Sequence, residues 1–326
     1  MSTLETIQQS IAPDLARLNA SIEAQLHTDN PLMHSVITNY LRTKGKLIRP
    51  ITVILSARIF GQVSDRVIAA AASVELLHNA SLIHDDVVDQ ADKRRGMPSV
   101  NATWDNHIAV LVGDFFVSSS MQQAISTGDV RIIDALCHLG KLLSLGELDQ
   151  IYNARYHNLS EEAYFQTINY KTASLFVACA RMGCYAQDVD DERCTRLAQF
   201  AEKLGLCFQI RDDIFDYYDD IDGQVGKPTG NDLREGKITL PLLHVLLDAD
   251  APDHDAMLTL VNKEQLEDSE IATLMAYARD NGGIDYAYST MQRLSREADA
   301  LLEPFGDTPE TRALRSLFTY IIARHH

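Results

Sequence analysis

The sequence predicts an all-α fold, and three observations carry that prediction. Apolar residues recur at three- and four-residue intervals through nearly the whole chain. No series of short alternating strands joined by tight turns appears. The nine prolines fall between the periodic segments or near their starts, where a missing N–H costs no helix hydrogen bond. No Ser/Gly/Pro-rich linker interrupts the 326 residues. The expectation is therefore one helical domain over residues 1–326, long enough to bury a substantial core.

In chain order, the opening MSTLETIQQSIAPDL lacks a basic region followed by an apolar one, which argues against a signal peptide. RTKGKLIRP follows at 42–50, where Gly45 and Pro50 read as a turn leading into a helix. Residues 67–84 are apolar on nearly every side, as in a helix buried at the centre of a fold. Residues 194–216 behave similarly, with Leu197, Phe200, Ala201, Leu204, Cys207 and Phe208 at helical spacing. Residues 219–236, DDIDGQVGKPTGNDLREG, carry four glycines and a proline among charges. That stretch is too rich in breakers for a helix and too polar for the core, so it reads as a lid, a ligand-binding loop or a disordered segment. Residues 271–279 form an amphipathic helix, with Asn281-Gly282 as its C-cap chemistry.

Composition narrows the function. The chain is 46% hydrophobic and 23% charged, with a formal net charge of −17. Such a surface repels nucleic acid and anionic lipid, so no nucleic-acid role is expected. An anion could still bind where metal ions or local cations reverse the field. The five cysteines, Cys137, Cys179, Cys184, Cys194 and Cys207, contain no CxxC pair and read as reduced, mostly buried thiols. No uninterrupted apolar run reaches about 18 residues, so no membrane span is expected. The expected compartment is the cytoplasm.

The chemistry concentrates in two aspartate clusters, IHDDVVDQ and QIRDDIFD. On a helix, Asp85 and Asp89 share a face while Asp86 is turned about 100° away. Asp212 and Asp216 repeat the pairing, with Asp213 turned aside. Stacked carboxylates repel, and a hard divalent cation removes that cost. Mg²⁺ typically joins one or two carboxylates to substrate phosphates and keeps several waters. Two such helices facing each other could hold several Mg²⁺ ions and a diphosphate. Either cluster alone could be a solvated helix end; the repetition after two apolar helices favours the metal reading.

Cations suited to a diphosphate lie nearby in sequence. Lys44, Lys46 and Arg49 belong to the first turn, Arg94 and Arg95 follow the first cluster, and Lys227 and Lys237 lie in and after the 219–236 loop. Arginine can grip phosphate through two N–H groups, and lysine supplies a mobile charge. His78 sits seven residues before Asp85, two turns along one face. Other patterns fail: GQVGKPTG misplaces the first glycine of a phosphate loop, DDIDG lacks calcium-loop ligands, and there is no HExxH, GxGxxG or GxSxG.

Together these segments resemble the trans-polyprenyl diphosphate synthases. The similarity runs in family order through GKLIRP, ELLHNASLIHDDVVDQADKRRG, GDFF, GELDQI, YKTASLF, QIRDDIFD and GKPTGNDLREGKITLP. It implies an all-α isoprenoid synthase fold, a helical bundle around a deep central cavity, commonly a homodimer. It also implies that isopentenyl diphosphate adds to an allylic diphosphate, with three Mg²⁺ ions as cofactor. Carried across, Asp85, Asp89 and Asp212 would bind metal, supported by Asp86, Asp213 and Asp216. Arg94, Lys171, Thr172, Gln209, Lys227 and Lys237 would hold the allylic diphosphate; Lys46, Arg49, His78 and Arg95 would hold isopentenyl diphosphate. Asp85, Asp89, Lys171, Asp212 and Lys227 would carry the chemistry. In the family the released diphosphate is thought to remove the proton, so no basic side chain is required. The chain departs from the pattern at Lys44-Gly45, where two glycines are usual, and at Leu47, which replaces a common arginine.

Small residues at Ala80 and Ser81, roughly 6–7.5 Å before Asp85 along the helix axis, remove the stopper that short-chain members place there. The resemblance then implies a long product, heptaprenyl to nonaprenyl with octaprenyl as centre. The tunnel floor would come from the helix after Gly113, with Phe116, Met121 and Ile125 as candidates. Rival readings are a farnesyl or geranylgeranyl diphosphate synthase, a class I terpene cyclase, a non-catalytic prenyl-diphosphate-binding subunit, or a helical scaffold. Transient membrane contact on release of the product is also expected.

Overall fold

The computed structural model of the protein describes residues 3–42, 45–218, 229–263 and 265–323. The chain opens with α1 (Thr3–Ser10), α2 (Ala12–Gln25), α3 (Pro31–Tyr40) and α4 (Ile48–Arg58). The long α5 (Asp65–Val88) leads to a hairpin of β1 (Lys93–Arg94) and β2 (Met97–Pro98). Then come α6 (Val100–Thr103), α7 (Asn106–Ser126), α8 (Val130–Arg155) and α9 (Glu161–Ile168). A π-helical turn, Asn169–Ala173, joins α9 to α10 (Ser174–Tyr185), followed by α11 (Asp191–Phe215). The remainder is α12 (Asn231–Arg234), α13 (Leu240–Leu246), α14 (His254–Val261), α15 (Asp268–Asp280), α16 (Gly283–Leu302), a 3-10 turn Glu303–Phe305 and α17 (Pro309–Ala323). Apart from the hairpin, the regular structure among the described residues is helical, as the periodicity predicts.

Local chemistry explains several boundaries. Ser64 caps α5 by accepting from the Val67 N–H, and Asp105 and Ser160 cap α7 and α9 in the same way. α15 ends at Asn281, and Gly282 takes the left-handed conformation (φ 85°) that stops the helix. The β1–β2 hairpin was not expected. Its two turn residues, Arg95 (φ 52°) and Gly96 (φ 75°), are both left-handed, the backbone that two-residue hairpins favour. Arginine at the first of these positions hides the signal that Asn-Gly would have given. Part of the 219–236 loop is also helical: α12 occupies Asn231–Arg234, while residues 219–228 lie outside the described residues.

The chain divides into two compact units. The first comprises Met1–Gly140, Leu175–Gln199 and Leu302–Leu317; the second comprises Lys141–Ser174, Phe200–Leu301 and Phe318–His326. In the first unit every residue of α5 from 67 to 80 is buried, which makes it the central helix the sequence predicts. α5 and α7 are both long and apolar enough to cross a membrane by length and composition, although neither is an uninterrupted apolar run. α5 is mostly buried within the protein, α7 less than half. Cys179, Cys184, Cys194 and Cys207 are buried thiols, Cys137 is exposed, and none of the five is in a disulfide.

α4 and α10 approach closely because Gly183 lacks a side chain. A Cβ there would lie 2.6 Å from the Val53 carbonyl oxygen and 3.0 Å from the Ser56 Cβ. Gly183→Ala is therefore expected to cost about 1–3 kcal/mol through overpacking against backbone. Chemical denaturation checks this, and an unchanged midpoint would show that the helices separate without penalty.

Candidate active site

In the first unit the end of α5 sorts its aspartates by helical angle. Asp85 is partly exposed and Asp89 is exposed at the helix C-cap, where its N–H donates to the Asp85 carbonyl at 2.8 Å. Asp86 points the other way and is only 1% exposed. Its carboxylate accepts from Arg94 Nε at 2.8 Å on both oxygens, and Arg94 Nη2 lies 2.7 Å from Oδ1. Asp86, expected to support the metal, is the buried counter-ion of Arg94. The physical reason is burial, because a carboxylate enclosed by protein needs a cation more than a metal-facing one does.

The predicted isopentenyl ligands Arg49, His78 and Arg95 converge in the same unit. Burial first, then the charges of Arg49, Arg95 and Arg94, hold the His78 pKa well below its ordinary value. His78 is thus a neutral imidazole among arginines. Arg95 reaches the GKLIRP segment, since a Cβ on Gly45 would meet its Nη2 at 2.9 Å. Arg49 lies over the Phe176 ring, 5.6 Å from its centroid. Lys46 is exposed just before α4, and its carbonyl accepts from the Gln8 side chain. Lys44 lies outside the described residues. Leu47, where the family carries arginine, adopts a left-handed backbone (φ 55°) at the N-cap of α4.

Sequence reasoning missed three polar residues here. Glu75 and Asn79 are buried on α5, and Tyr40 donates to Asn79 Oδ1 at 2.9 Å. Charged Glu75 inside the apolar run AASVELL was the available signal, because such a residue is seldom buried without a partner.

In the second unit the π-turn carries Lys171 and Thr172, and an inserted residue of this kind re-aims neighbouring side chains, frequently at functional sites. Gly146 admits the turn: a Cβ there would meet Lys171 N and Tyr170 Cβ at 2.9 Å. Lys171 Nζ pairs with Glu147 at 2.5 Å and donates to Gln150 Oε1 at 2.9 Å, both in the GELDQI segment. Thr172 Oγ1 donates to Gln209 Oε1 at 2.7 Å, and Gln209 Nε2 donates to Asp213 Oδ1 at 2.8 Å. Tyr164, also missed, donates its hydroxyl to Asp213 Oδ2 at 2.6 Å. Burial, with Asp232 nearby, pushes the Asp213 pKa up to about 8 despite these donors.

A cavity of about 220 Å³ lies within this unit, lined by Tyr164, Lys171, Gln209, Asp213, Asp232 and Lys237 among others. Asp232 was not singled out from the sequence, because DLR gives no spacing signal. Lys237 pairs with Glu235, and its N–H donates to the Asp232 carbonyl at 2.7 Å. Asp212 is partly exposed on α11. Asp216 lies just past the helix end, and its two oxygens accept the Asn231 and Asp232 N–H groups, each at 3.0 Å. Asp216, expected to share a face with Asp212, thus also holds the first turn of α12. Lys227 lies outside the described residues.

The expected wall and floor residues differ in exposure. Ala80 is fully enclosed, whereas Ser81 is partly open. Phe116 is fully buried, edge-on to Tyr40 with centroids 5.6 Å apart. Met121 and Ile125, the other floor candidates, are 47% and 60% exposed within the chain. The helix after Gly113 therefore turns those two residues outward.

The donor set fits one kind of metal. Among the described residues no group of three or more His, Cys, Asp or Glu forms a metal cage. Asp85 with Asp89, and Asp212, offer hard oxygen atoms, one or two to a unit. That suits Mg²⁺, which takes the rest of its shell from water and substrate phosphate, and not a closed zinc site.

Two outcomes follow from this geometry. The unfolded state takes up a proton on His78 below pH about 6.5, while the folded state resists it. Stability from this group is present above that pH and lost as pH falls. The melting temperature should drop between pH 7.5 and 5.5, and the drop should be smaller in His78→Gln; equal drops would contradict the buried neutral imidazole. Tyr164→Phe removes the donor to a buried Asp213 oxygen and should cost about 1–3 kcal/mol in urea unfolding. An unchanged midpoint would show that water replaces the hydroxyl.

Comparison with known proteins places these features together. A family model described as Polyprenyl synthetase matches residues 30–278. The chain is 34% identical over 324 residues to octaprenyl diphosphate synthase of Escherichia coli (strain K12), covering 98% of this chain and 99% of that one. A polyprenyl synthase from Caulobacter crescentus CB15, complexed with calcium and isoprenyl diphosphate, is similar in structure with a TM-score of 0.91 at 27% identity, covering 99% and 98% of the two chains. Geranylgeranyl pyrophosphate synthase from Bacteroides thetaiotaomicron is similar with a TM-score of 0.84 at 38% identity, covering 99% of each chain. The matches run the length of the all-α chain and include both aspartate clusters. The chain belongs to the polyprenyl synthetase family.

Proposed function

We propose that this polyprenyl synthetase condenses isopentenyl diphosphate with an allylic diphosphate and repeats the addition to a long all-trans product, heptaprenyl to nonaprenyl with octaprenyl as centre. The observation that carries the reading is the gathering of Arg49, His78, Arg94 and Arg95 beside the helix end that bears Asp85 and Asp89. Lys46, Arg49, His78 and Arg95 bind the diphosphate of isopentenyl diphosphate. Neutral His78 adds a hydrogen bond there without competing for the charge. Lys171, Thr172, Gln209 and Lys237 bind the allylic diphosphate with Lys227, and Arg94, held by Asp86, joins them.

Asp85, Asp89 and Asp212 are the metal ligands, for three Mg²⁺ ions. Bound there, the ions supply positive charge to the departing diphosphate. The side chains' part is to hold both anions and keep the π bond of isopentenyl diphosphate against the allylic carbon as its C–O bond breaks. Asp213 and Asp216 act indirectly, the first by fixing Gln209 and Thr172, the second by ordering α12 ahead of Lys237. Residues 1–326 work as one functional domain, because neither unit carries all of the motif residues. The protein works in the cytoplasm as a homodimer. Leu111 and Ile125, 62% and 60% exposed on the apolar α7, support that assembly. Leu111→Asp with Ile125→Asp should yield a monomer in sedimentation equilibrium; a persistent dimer would place the interface elsewhere.

A second reading, a short-chain product, is favoured by the 38% identity to a geranylgeranyl pyrophosphate synthase. The long-chain reading is supported by the relative from Escherichia coli and by the small, partly open Ser81. Purified protein with Mg²⁺, labelled isopentenyl diphosphate and farnesyl diphosphate should give a discrete product of heptaprenyl to nonaprenyl length. Products ending at geranylgeranyl would establish the short-chain reading, and no product would sink both. Ser81→Phe should shorten the product, and unchanged length would remove Ser81 from the tunnel wall. Ala80→Phe is a poorer test, because an enclosed alanine has no room for a ring.

A further inference from the structure

We infer that Asn101 is a positioning residue for the metal-binding end of α5. Its amide clamps the turn that follows Asp89, and so sets that carboxylate and the hairpin that carries Arg94. The inference rests on the assignment of Asp89 to Mg²⁺ and of Arg94 to the allylic diphosphate.

α5 ends in a hydrogen-bonded turn with an unusual residue in it. The Ala91 N–H donates to the Asp86 carbonyl at 2.9 Å, and the Gln90 N–H to the Val87 carbonyl at 3.4 Å. Asp89 is the C-cap, and Gln90 after it takes the left-handed backbone (φ 51°). Helices that stop this way commonly do so at glycine, because a Cβ is crowded in that backbone. A residue with a side chain keeps it where the surroundings hold it in place. Gln90 is exposed, so the hold falls on the backbone around it.

Asn101, on α6, supplies that hold. Its Nδ2 donates to the Asp86 carbonyl at 3.2 Å and to the Ala91 carbonyl at 3.3 Å, the two ends of the turn. Ser99 Oγ donates to the same Ala91 carbonyl at 2.6 Å, and the Ser99 N–H to the Asp92 carbonyl at 3.0 Å. Turning the Asn101 amide over would set its oxygen against two carbonyl oxygens, so the NH₂ group stays where it is. Asn101 Oδ1 is buried and accepts no hydrogen bond among the described residues. A buried oxygen left so costs stability, and the asparagine is explained by the two carbonyls that it holds.

These bonds close residues 86–101 into one loop anchored at Asp86. The Asp86 carbonyl takes the Ala91 N–H and Asn101, and its carboxylate takes Arg94. The exposed Asp89 lies between the two clamped carbonyls in sequence, so its direction follows the turn. A carboxylate held in one position loses less freedom on meeting a metal than one on a fraying helix end.

The test measures binding of labelled farnesyl diphosphate across a Mg²⁺ titration, with isopentenyl diphosphate left out so that no turnover contributes. Asn101→Ala should need about tenfold more Mg²⁺ for half-maximal binding. A residue that only stabilised the fold would lower the urea midpoint and leave that Mg²⁺ requirement unchanged. Adding Gln90→Gly to Asn101→Ala should bring the requirement part of the way back, because glycine takes the left-handed backbone unaided. Ser99→Ala, which removes the shorter bond to Ala91, should shift the requirement in the same direction, and it serves if Asn101→Ala does not fold. An unchanged requirement in either folded variant, or a shift that Gln90→Gly leaves untouched, would overturn the inference alone. Asp89→Asn tests the assignment beneath it: if that change leaves the Mg²⁺ requirement where it was, the assignment falls and the inference with it.

Discussion

The constraint on which the first unit depends is that charge on an enclosed helix must be matched by charge from another element. α5 is buried along residues 67–80 and carries Glu75, His78 and Asn79 inside that stretch. Asp86 is buried just beyond it. The β1–β2 hairpin exists where Arg94 can reach Asp86, and its left-handed turn at Arg95 and Gly96 carries a second guanidinium to the same side. α4 starts at a left-handed Leu47, and the Arg49 guanidinium lies over the Phe176 ring. Removing Arg94 would leave Asp86 buried without compensation.

The second unit meets the same constraint with neutral donors. Asp213 is enclosed, and among the described residues Tyr164 and Gln209 supply its hydrogen bonds. Burial then favours the protonated acid, in line with its raised pKa. Through Gln209 the network reaches Thr172 on the π-turn, so the irregular helix and the aspartate cluster are one hydrogen-bonded assembly. Lysines that would meet a polyanion are held by Glu147 and Glu235. Those partly exposed pairs add little stability and place the ammonium groups.

The two aspartate clusters share letters and not uses. In each, the first aspartate is partly exposed and the second is buried, because adjacent helical positions diverge by about 100°. The third differs. Asp89 ends α5 in solvent, whereas Asp216 accepts two backbone N–H groups of α12. A repeat in sequence thus supplies two partly exposed carboxylates and, in its second copy, acceptors for the first turn of α12.

The sequence by itself determined the all-helical class, the buried α5 and α11, the outward Asp85 and Asp212, and the gathering of cations around the first cluster. Those features follow from periodicity and from residue chemistry that holds wherever the helices pack. It gave no means to see the Arg94–Asp86 pair, the hairpin, the π-turn, Tyr164, or the cap formed by Asp216. Each joins residues whose contact depends on a backbone path that propensity does not set. Ala80 shows the limit most plainly: its small size was legible, and its enclosure was not. Side-chain volume belongs to the residue, whereas the space beside it belongs to the neighbouring helix, and only tertiary packing decides whether that space is open.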